Sequence, residues 1–286
     1  MKRRYADNDL PWLPPAEIVS VVGRGEFFVR RFIHPDSDAP TLMLLHGWTG
    51  TGDINFFSAY KQLAEKYSFI VLDHRGHGRG LRTGERFQLE DCADDICAVL
   101  KELGLSRITV VGYSMGGAIS MLLWKRHRTL VHSMVLCATA LEWSGTKEER
   151  RRLKIAQIVS PLVRLLMNPR VIERIVRRSI SRSSVIYRHT SWIVSEIRRN
   201  DPWVMREAGR ALLRYSAVGW AWQVDVPTAC VVTTSDTLIS PTKQRQLANA
   251  TTAYVVPLDG DHLAMWGVPD QWSTAIRIAV DLVVWD

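Results

Sequence analysis

The sequence of 286 residues predicts an α/β protein in which a mostly parallel, doubly wound sheet carries a helical cap insert. Strand and helix patterns alternate over residues 41–137, which indicates parallel strands joined by helical crossovers. The alternation stops at residue 141 and resumes at residue 228, so the chain between these points is predicted to interrupt one sheet. We therefore predict a core of residues 18–140 and 223–286, a cap of residues 141–222 and a lead-in of residues 1–17.

The predicted elements begin with a hairpin, in which strands at 18–22 and 26–32 flank Gly23-Arg24-Gly25. The elements that follow are strand 41–45, helix 55–66, strand 69–73, helix 89–103, strand 107–111, helix 115–126 and strand 133–137. The insert contains arginine-rich helical patterns, and strands 228–233 and 253–257, each followed by a helix, complete the sheet. Crossover helices of this kind cover both faces of a parallel sheet.

The composition is that of an ordinary globular protein, with 47% apolar and 23% charged residues. Four cysteines are too few for a disulfide framework at this length: Cys92, Cys97, Cys137 and Cys230. We therefore expect packed, reduced thiols and a cytoplasmic location. No apolar run follows Met1-Lys2-Arg3-Arg4, and no window approaches the roughly 18 apolar residues of a transmembrane helix. We expect a soluble protein, at most peripheral to a membrane. No C-x-x-C or H-E-x-x-H pattern supports a metal site.

The most informative motif is Gly112-Tyr113-Ser114-Met115-Gly116, which stands between a β-branched strand and a helical pattern. G-x-S-x-G in this context is typical of a nucleophile elbow, a tight turn that holds a serine hydroxyl above the sheet edge. The flanking glycines let the backbone pass close to itself. The turn also directs the N–H of Met115 and the positive end of the next helix toward the hydroxyl. Ser114 is therefore the candidate nucleophile, suited to attack on a carbonyl carbon.

A serine nucleophile needs a histidine base, which in this type of site comes last in the chain. Four histidines follow Ser114. His262 is the candidate base, because it lies in a loop between the last predicted strand and a C-terminal helix. His127 and His132 are assigned to surface or loop positions, and His189 lies in the basic insert.

The base needs an acid to orient it, and Asp236 is the candidate because it follows the strand 228–233. An acid at that strand end can reach the ring of His262 from the neighbouring strand. Asp259 and Asp261 are so close to His262 in sequence that they are poorly placed to orient its ring, and Asp225 precedes the strand at its wrong end.

A glycine-rich loop, His46-Gly47-Trp48-Thr49-Gly50, follows the buried strand 41–45. Binding sites of α/β sheets lie at the carboxyl ends of their strands, where this loop begins. We predict an oxyanion hole formed by the backbone N–H groups of Trp48 and Met115. A phosphate-binding loop is excluded, since neither of the glycine-rich phosphate patterns is present.

Taken together, these motifs resemble the α/β-hydrolase family, in its compact form with a helical cap. The matching residues are His46-Gly47-Trp48, Asp73-His74-Arg75-Gly76-His77-Gly78, Gly112-Tyr113-Ser114-Met115-Gly116-Gly117, Val226-Pro227, Asp236 with Pro241, and His262 with Pro269. They follow the family's order over roughly residues 18–284. The resemblance implies that the Asp73–Gly78 segment is structural, so His74 and His77 are expected to pack a loop.

The predicted activity is hydrolysis of a carboxylic ester through an acyl-enzyme, with no cofactor. Alternatives with the same triad are a C–C bond hydrolase of ring-cleavage products and a cofactor-free perhydrolase. A non-catalytic binding protein is disfavoured because all three triad positions are filled. Tyr113, Trp48 and Trp266 are candidate residues for the lining of an apolar pocket.

The positive charge of the chain belongs to the insert. Residues 144–214 contain 17 Lys and Arg against 6 Asp and Glu, whereas the rest of the chain has 20 against 23. Three interpretations remain: a solvated face of amphipathic helices, attraction to an anionic membrane surface or substrate, and nucleic-acid binding. The last is disfavoured, because no recognition motif is present. The expected partner is a small ester, lipid-like or anionic if the second interpretation holds.

Overall fold

The computed structural model describes residues 10–145, 169–180 and 184–285. Eight strands in this part of the chain form one sheet: β1 (Ala16–Val21), β2 (Gly25–Phe32), β3 (Thr41–Leu45), β4 (Ser68–Leu72), β5 (Ile108–Tyr113), β6 (Val131–Cys137), β7 (Thr228–Thr233) and β8 (Tyr254–Leu258). Their order across the sheet is β1-β2-β4-β3-β5-β6-β7-β8. β1 and β2 form the predicted antiparallel hairpin, β2 is antiparallel to β4, and the remaining pairs are parallel. The prediction of a mostly parallel sheet is confirmed.

The described helices are α1 (Gly52–Leu63), α2 (Leu89–Glu102), α3 (Met115–Arg126), α4 (Pro169–Ser179), α5 (Thr190–Ile197), α6 (Pro202–Arg214), α7 (Pro241–Ala250), α8 (Ala264–Gly267) and α9 (Pro269–Val283). Short 3₁₀ segments lie at Arg128–Leu130, Val185–His189 and Ala221–Gln223. α2, α3 and α7 cover one face of the sheet, and α1 and α9 cover the other. The sheet is thus doubly wound.

The central strands are buried on both faces. In β3, Met43 and Leu45 belong to the apolar cluster beneath α2 and α3, while Leu42 and Leu44 belong to the cluster beneath α1 and α9. Since successive side chains of a strand point to opposite faces, a strand buried on both is apolar throughout. All four cysteines are buried free thiols.

The prediction for the first helix was wrong in its boundary: α1 begins at Gly52 rather than at residue 55. The hydroxyl of Thr51 accepts a hydrogen bond from the N–H of Ile54 and caps the helix at this earlier point. The earlier start brings Asp53 and Asn55 into the first turn of α1, next to the loop that follows β3.

Helices α4, α5 and α6 lie in sequence between β6 and β7, and an antiparallel bridge between Glu142 and Ser216 joins the two ends of this insert. Residues 1–9 of the predicted lead-in, and residues 146–168 and 181–183 of the predicted insert, lie outside the described residues. α4 buries Ile172 and Val176 in the cluster beneath α1, and α6 buries Ala208 in the opposite cluster.

Ile172 and Val176 of α4 therefore face the protein interior, whereas Arg174, Arg178 and the apolar Ile175 are exposed. The exposed side of α4 thus presents two arginines and one isoleucine. None of the helices in the described residues is both long and apolar enough to cross a membrane.

Candidate active site

Ser114 stands at the turn between β5 and α3, in a backbone conformation that non-glycine residues seldom adopt. Its φ is 53° and its ψ is −115°. The turn is tight because a Cβ on Gly112 would lie 2.2 Å from Ser120 Oγ, and one on Gly116 would lie 2.0 Å from the carbonyl oxygen of Leu45. These two positions therefore require glycine. The N–H of Ser114 donates to the carbonyl of Cys137, which fixes the turn against β6.

His262 lies in the loop between β8 and α8, with Nε2 3.0 Å from the Oγ of Ser114. The loop is held from below by Tyr113, whose hydroxyl donates to the carbonyl oxygen of His262 over 2.6 Å. Burial is the main cause that raises the pKa of Tyr113 well above its ordinary value, so this hydroxyl keeps its proton. The structure thus places Tyr113 behind the histidine, where it positions the loop.

Asp236 follows β7, and its Oδ2 lies 2.7 Å from Nδ1 of His262. Its Oδ1 accepts hydrogen bonds from the N–H groups of Leu238 and Ile239, at 2.8 and 2.9 Å. Burial acts to raise the pKa of Asp236, but the hydrogen bond and charge of His262 and the two N–H groups outweigh it and lower the pKa below the ordinary value. The carboxylate therefore stays ionised. It accepts a hydrogen bond from the Nδ1–H group of His262, so the imidazole keeps its proton on Nδ1 and Nε2 is free to accept the proton of Ser114.

Gln244 on α7 completes the surroundings of the acid, and sequence reasoning missed it. Its Nε2 lies 3.2 Å from Asp236 Oδ2 and donates to Thr233 Oγ1 and to the carbonyl of Ile239. Its Oε1 accepts from the N–H of Thr233. One buried amide thus ties the end of β7 to the loop that carries Asp236. A glutamine on the exposed-looking pattern of α7 gives no sequence signal for this role.

The two predicted oxyanion donors flank Ser114. Met115 is the first residue of α3, so its N–H is one of the free donors at the positive end of that helix. Trp48 lies in the loop after β3, where a Cβ on the adjacent Gly47 would come 3.2 Å from the Cβ of Ser114. Within the described residues neither N–H has a hydrogen-bond acceptor. The oxyanion hole formed by these two N–H groups stays a prediction.

The loop from His46 to Gly50, called the 46–50 loop below, rests on buried groups. The N–H of Gly47 donates to the side-chain oxygen of Asn55 over 2.9 Å. Nε2 of His46 accepts from the N–H of His74, so its Nδ1 carries the proton and donates to the carbonyl of Gly47. Burial lowers the pKa of His46 to about 4. His74 and His77 are also fully buried behind the loop and lie away from Ser114.

The other candidate residues make hydrogen bonds to partners other than Ser114 and His262. Trp266 is buried and donates its indole N–H to the carbonyl of Ile54. Asp225 accepts from the indole of Trp124, and Asp259 accepts from Thr234.

The remaining candidates make local contacts of their own. Asp261 accepts from the N–H of Leu263. His127 contacts Asp94, His132 contacts the carbonyl of Val284, and His189 packs against Phe57. No cluster of metal-ligating side chains occurs in the residues that the structure describes.

Comparisons with known proteins bear on the fold of the chain. A family model described as the alpha/beta hydrolase fold matches residues 40–155, from the end of the segment before β3 to beyond β6. The chain is 29% identical over 116 residues to an AB hydrolase superfamily protein of Bacillus subtilis, a match that covers 40% of this chain and 43% of that protein. It is 34% identical over 80 residues to a bifunctional esterase/perhydrolase of Acinetobacter calcoaceticus, covering 28% and 29%.

A solved structure of an esterase from Exiguobacterium antarcticum superposes with a TM-score of 0.79 at 15% identity, covering 93% of this chain and 100% of that one. The likeness to this structure concerns the fold. The matches to the two sequence relatives span between 29% and 43% of their own length. The resemblance noted in the sequence is confirmed at the level of the fold.

Proposed function

Because this chain has the α/β-hydrolase fold, we propose that it is a serine hydrolase that cleaves carboxylic esters through an acyl-enzyme. The observation that carries the proposal is the line of two contacts from Asp236 to His262 and from His262 to Ser114, at 2.7 and 3.0 Å. Both distances are within hydrogen-bond reach, as a base and its nucleophile require.

In the acylation step, Ser114 Oγ attacks the ester carbonyl carbon while Nε2 of His262 takes the hydroxyl proton. Asp236 holds the ring in the tautomer that leaves Nε2 unprotonated, and it stabilises the imidazolium that forms. The proton then passes from Nε2 to the leaving alkoxide oxygen as the C–O bond breaks. The products of this half-reaction are the free alcohol and an acyl group bound to Ser114 through an ester bond.

In the deacylation step, a water molecule attacks the acyl carbon while His262 takes a proton from the water. His262 then returns that proton to Ser114 Oγ as the bond to the acyl group breaks, and the carboxylic acid is released. In both steps negative charge develops on the carbonyl oxygen. We assign its stabilisation to the N–H groups of Trp48 and Met115. The loss of one such donor costs about 10²–10³ in kcat in measured enzymes. None of these steps requires a cofactor.

A second candidate is perhydrolysis, which the similarity to a bifunctional esterase/perhydrolase favours. Hydrogen peroxide would replace water as the acyl acceptor, lose its proton to His262 and leave as a peracid. Because the acyl-enzyme is shared, the two activities differ only in which acceptor reaches Ser114. Peracid formation in the presence of peroxide, measured against hydrolysis of the same ester, distinguishes them.

The proposal is tested by labelling with a fluorophosphonate, which reacts with activated serine hydroxyls, followed by turnover of nitrophenyl esters of increasing chain length. We expect Ser114→Ala to lose both labelling and turnover. Ser195→Ala is the matched control, since Ser195 is an exposed serine whose hydroxyl donates to the carbonyl of Trp192. Turnover that survives in Ser114→Ala, or labelling at another serine, would contradict the proposal. Turnover of a diketone in preference to every ester would indicate C–C bond hydrolysis instead.

A further inference from the structure

The 46–50 loop contacts the insert as well as the core. The indole Nε1 of Trp48 donates to the backbone carbonyl of Met205, on α6, over 2.8 Å. The same ring lies against Gly209, where a Cβ would come 3.0 Å from Cζ2 of the indole. The side chain of Trp48 therefore packs against the backbone of α6. Gly209 allows this close approach because it has no side chain.

Asn200 makes a second connection, at the junction between α5 and α6. Its side chain is buried, with 3% of the residue exposed. Nδ2 donates to the carbonyl oxygens of Thr49 and Ile197, at 2.8 and 2.9 Å, and Oδ1 accepts from the N–H of Gly78 at 2.9 Å. The partners fix the orientation of the amide, because two carbonyls need its N–H groups and one N–H needs its oxygen.

The residue that Asn200 contacts is held in an unfavourable conformation. Thr49 has a φ of 62°, in the left-handed region that β-branched residues avoid. A residue remains in this region only when its surroundings fix it, and such positions occur at ligand-binding and catalytic loops. The N–H of Gly50 donates to the carbonyl of Gly47 over 3.2 Å and closes the turn around Thr49, and the hydrogen bond from Asn200 to the Thr49 carbonyl fixes the same turn from the insert.

We propose that Asn200 is a positioning residue that couples the insert to the oxyanion hole, an inference that rests on the function proposed above. Trp48 is held through its indole by Met205, and its neighbour Thr49 is held through its carbonyl by Asn200. The direction of the Trp48 N–H is thereby set from the insert. Catalysis consequently depends on where α5 and α6 lie, and the insert contributes to the chemical step as well as covering the sheet edge.

The test compares wild type with Asn200→Asp, which keeps an oxygen for the N–H of Gly78 but, when ionised, has no N–H for the carbonyl of Thr49. We expect kcat to fall about ten- to a hundredfold on a nitrophenyl ester, because a misdirected donor loses part of the roughly 10²–10³ that a whole donor supplies. KM should change less than about threefold, since the interaction is made mainly in the transition state.

The matched control is Arg86→Ala. Arg86 is an exposed residue that pairs with Glu207 on α6 at 3.3 Å, so it joins core and insert without touching the 46–50 loop. Its kcat should stay within about twofold of wild type. A second readout is the inhibition constant of a trifluoromethyl ketone, whose adduct with the serine carries an oxyanion. In Asn200→Asp this constant should rise in parallel with the fall in kcat/KM.

Two results would overturn the inference while the proposed function stands: unchanged kcat in Asn200→Asp, or a rise in KM alone, with Ser114→Ala inactive in the same assay. Turnover in Ser114→Ala would overturn the proposed function itself. If Asn200→Asp does not fold, Asn200→Ala decides by the same criteria, because it removes the N–H group that binds the carbonyl of Thr49 without burying a negative charge.

Discussion

Replacement of Asp236 by asparagine tests the orientation of the base, and the structure determines how the new amide must lie. Oδ1 of Asp236 accepts from two backbone N–H groups, those of Leu238 and Ile239, which cannot turn away. An asparagine would keep its carbonyl oxygen at that position. Its NH₂ group would then take the place of Oδ2 and point at Nδ1 of His262.

A donor at that place reverses the tautomer of the histidine. Nδ1 would have to accept a hydrogen bond, so Nε2 would carry the proton and face Ser114 as a donor. The base for the first step would be lost, and the NH₂ group would also face Thr233 Oγ1 and Gln244 Nε2, which now donate to Oδ2. The corresponding change in a serine protease lowers kcat about 10⁴-fold, which is about 5 kcal/mol of transition-state stabilisation, and we expect a loss of that size for Asp236→Asn.

The assay is hydrolysis of a nitrophenyl ester at neutral pH, with the thermal midpoint of unfolding measured on the same samples. Asp259→Asn is the control, because Asp259 is an exposed carboxylate near the same loop that accepts from Thr234, at 3.3 Å. Its kcat should remain within about twofold of wild type. A loss of less than tenfold in a folded Asp236→Asn protein would refute the assignment of Asp236 as the orienting acid.

Three further predictions concern stability and the insert. His46 stays neutral when folded, with a pKa of about 4 against 6.5, so the unfolded state binds more protons in this window and the contribution of His46 to the free energy of unfolding should fall by about 3 kcal/mol between pH 6.5 and pH 4. Since burial also shifts the pKa values of His74, His77, Asp53 and Asp73, the measurement is the difference between wild type and His46→Asn in urea titrations across this range, and a difference that does not change with pH would contradict the prediction. Gly116→Ala would place a methyl group 2.0 Å from the carbonyl oxygen of Leu45 and should lower the free energy of unfolding by more than about 2 kcal/mol. The control is Gly84→Ala, which should cost little because no atom lies within 4 Å of the added methyl group. Equal thermal midpoints of the two variants would argue against the tight turn. If the positive charge of residues 144–214 binds an anionic membrane surface, the protein should co-sediment with anionic vesicles at low salt and not at high salt. If it attracts an anionic substrate, kcat/KM for anionic esters should fall as salt rises. Equal binding to neutral vesicles, or binding to neither kind, would indicate that the arginines form a solvated face.

The parts of the site that are local in sequence could be predicted from it. The elbow needs glycine at two fixed positions because backbone atoms approach there, so Gly112 and Gly116 mark it without any knowledge of the tertiary structure. Asp236 and His262 could be chosen from competing residues because each follows a predicted strand, and carboxyl ends of parallel strands meet at one edge.

The parts that depend on distant pairing could not be predicted. Asn200 contacts Thr49 across 151 positions of sequence, and nothing in either neighbourhood indicates the other. Tyr113 was expected to line a pocket, and the sequence did not indicate that its hydroxyl donates to the carbonyl of His262. This contact depends on where the His262 loop lies relative to β5, and that position is determined by the tertiary structure of the whole sheet.

The central claim is that Ser114 carries the acyl group between the two half-reactions. Its most direct test is to mix the protein with nitrophenyl butyrate, quench in acid within the first turnover, and map the acylated peptide by mass spectrometry. We expect one added butyryl group on the peptide that contains Ser114, and none on that peptide in Ser114→Ala. An acyl group on a different residue, or steady turnover by Ser114→Ala, would contradict it.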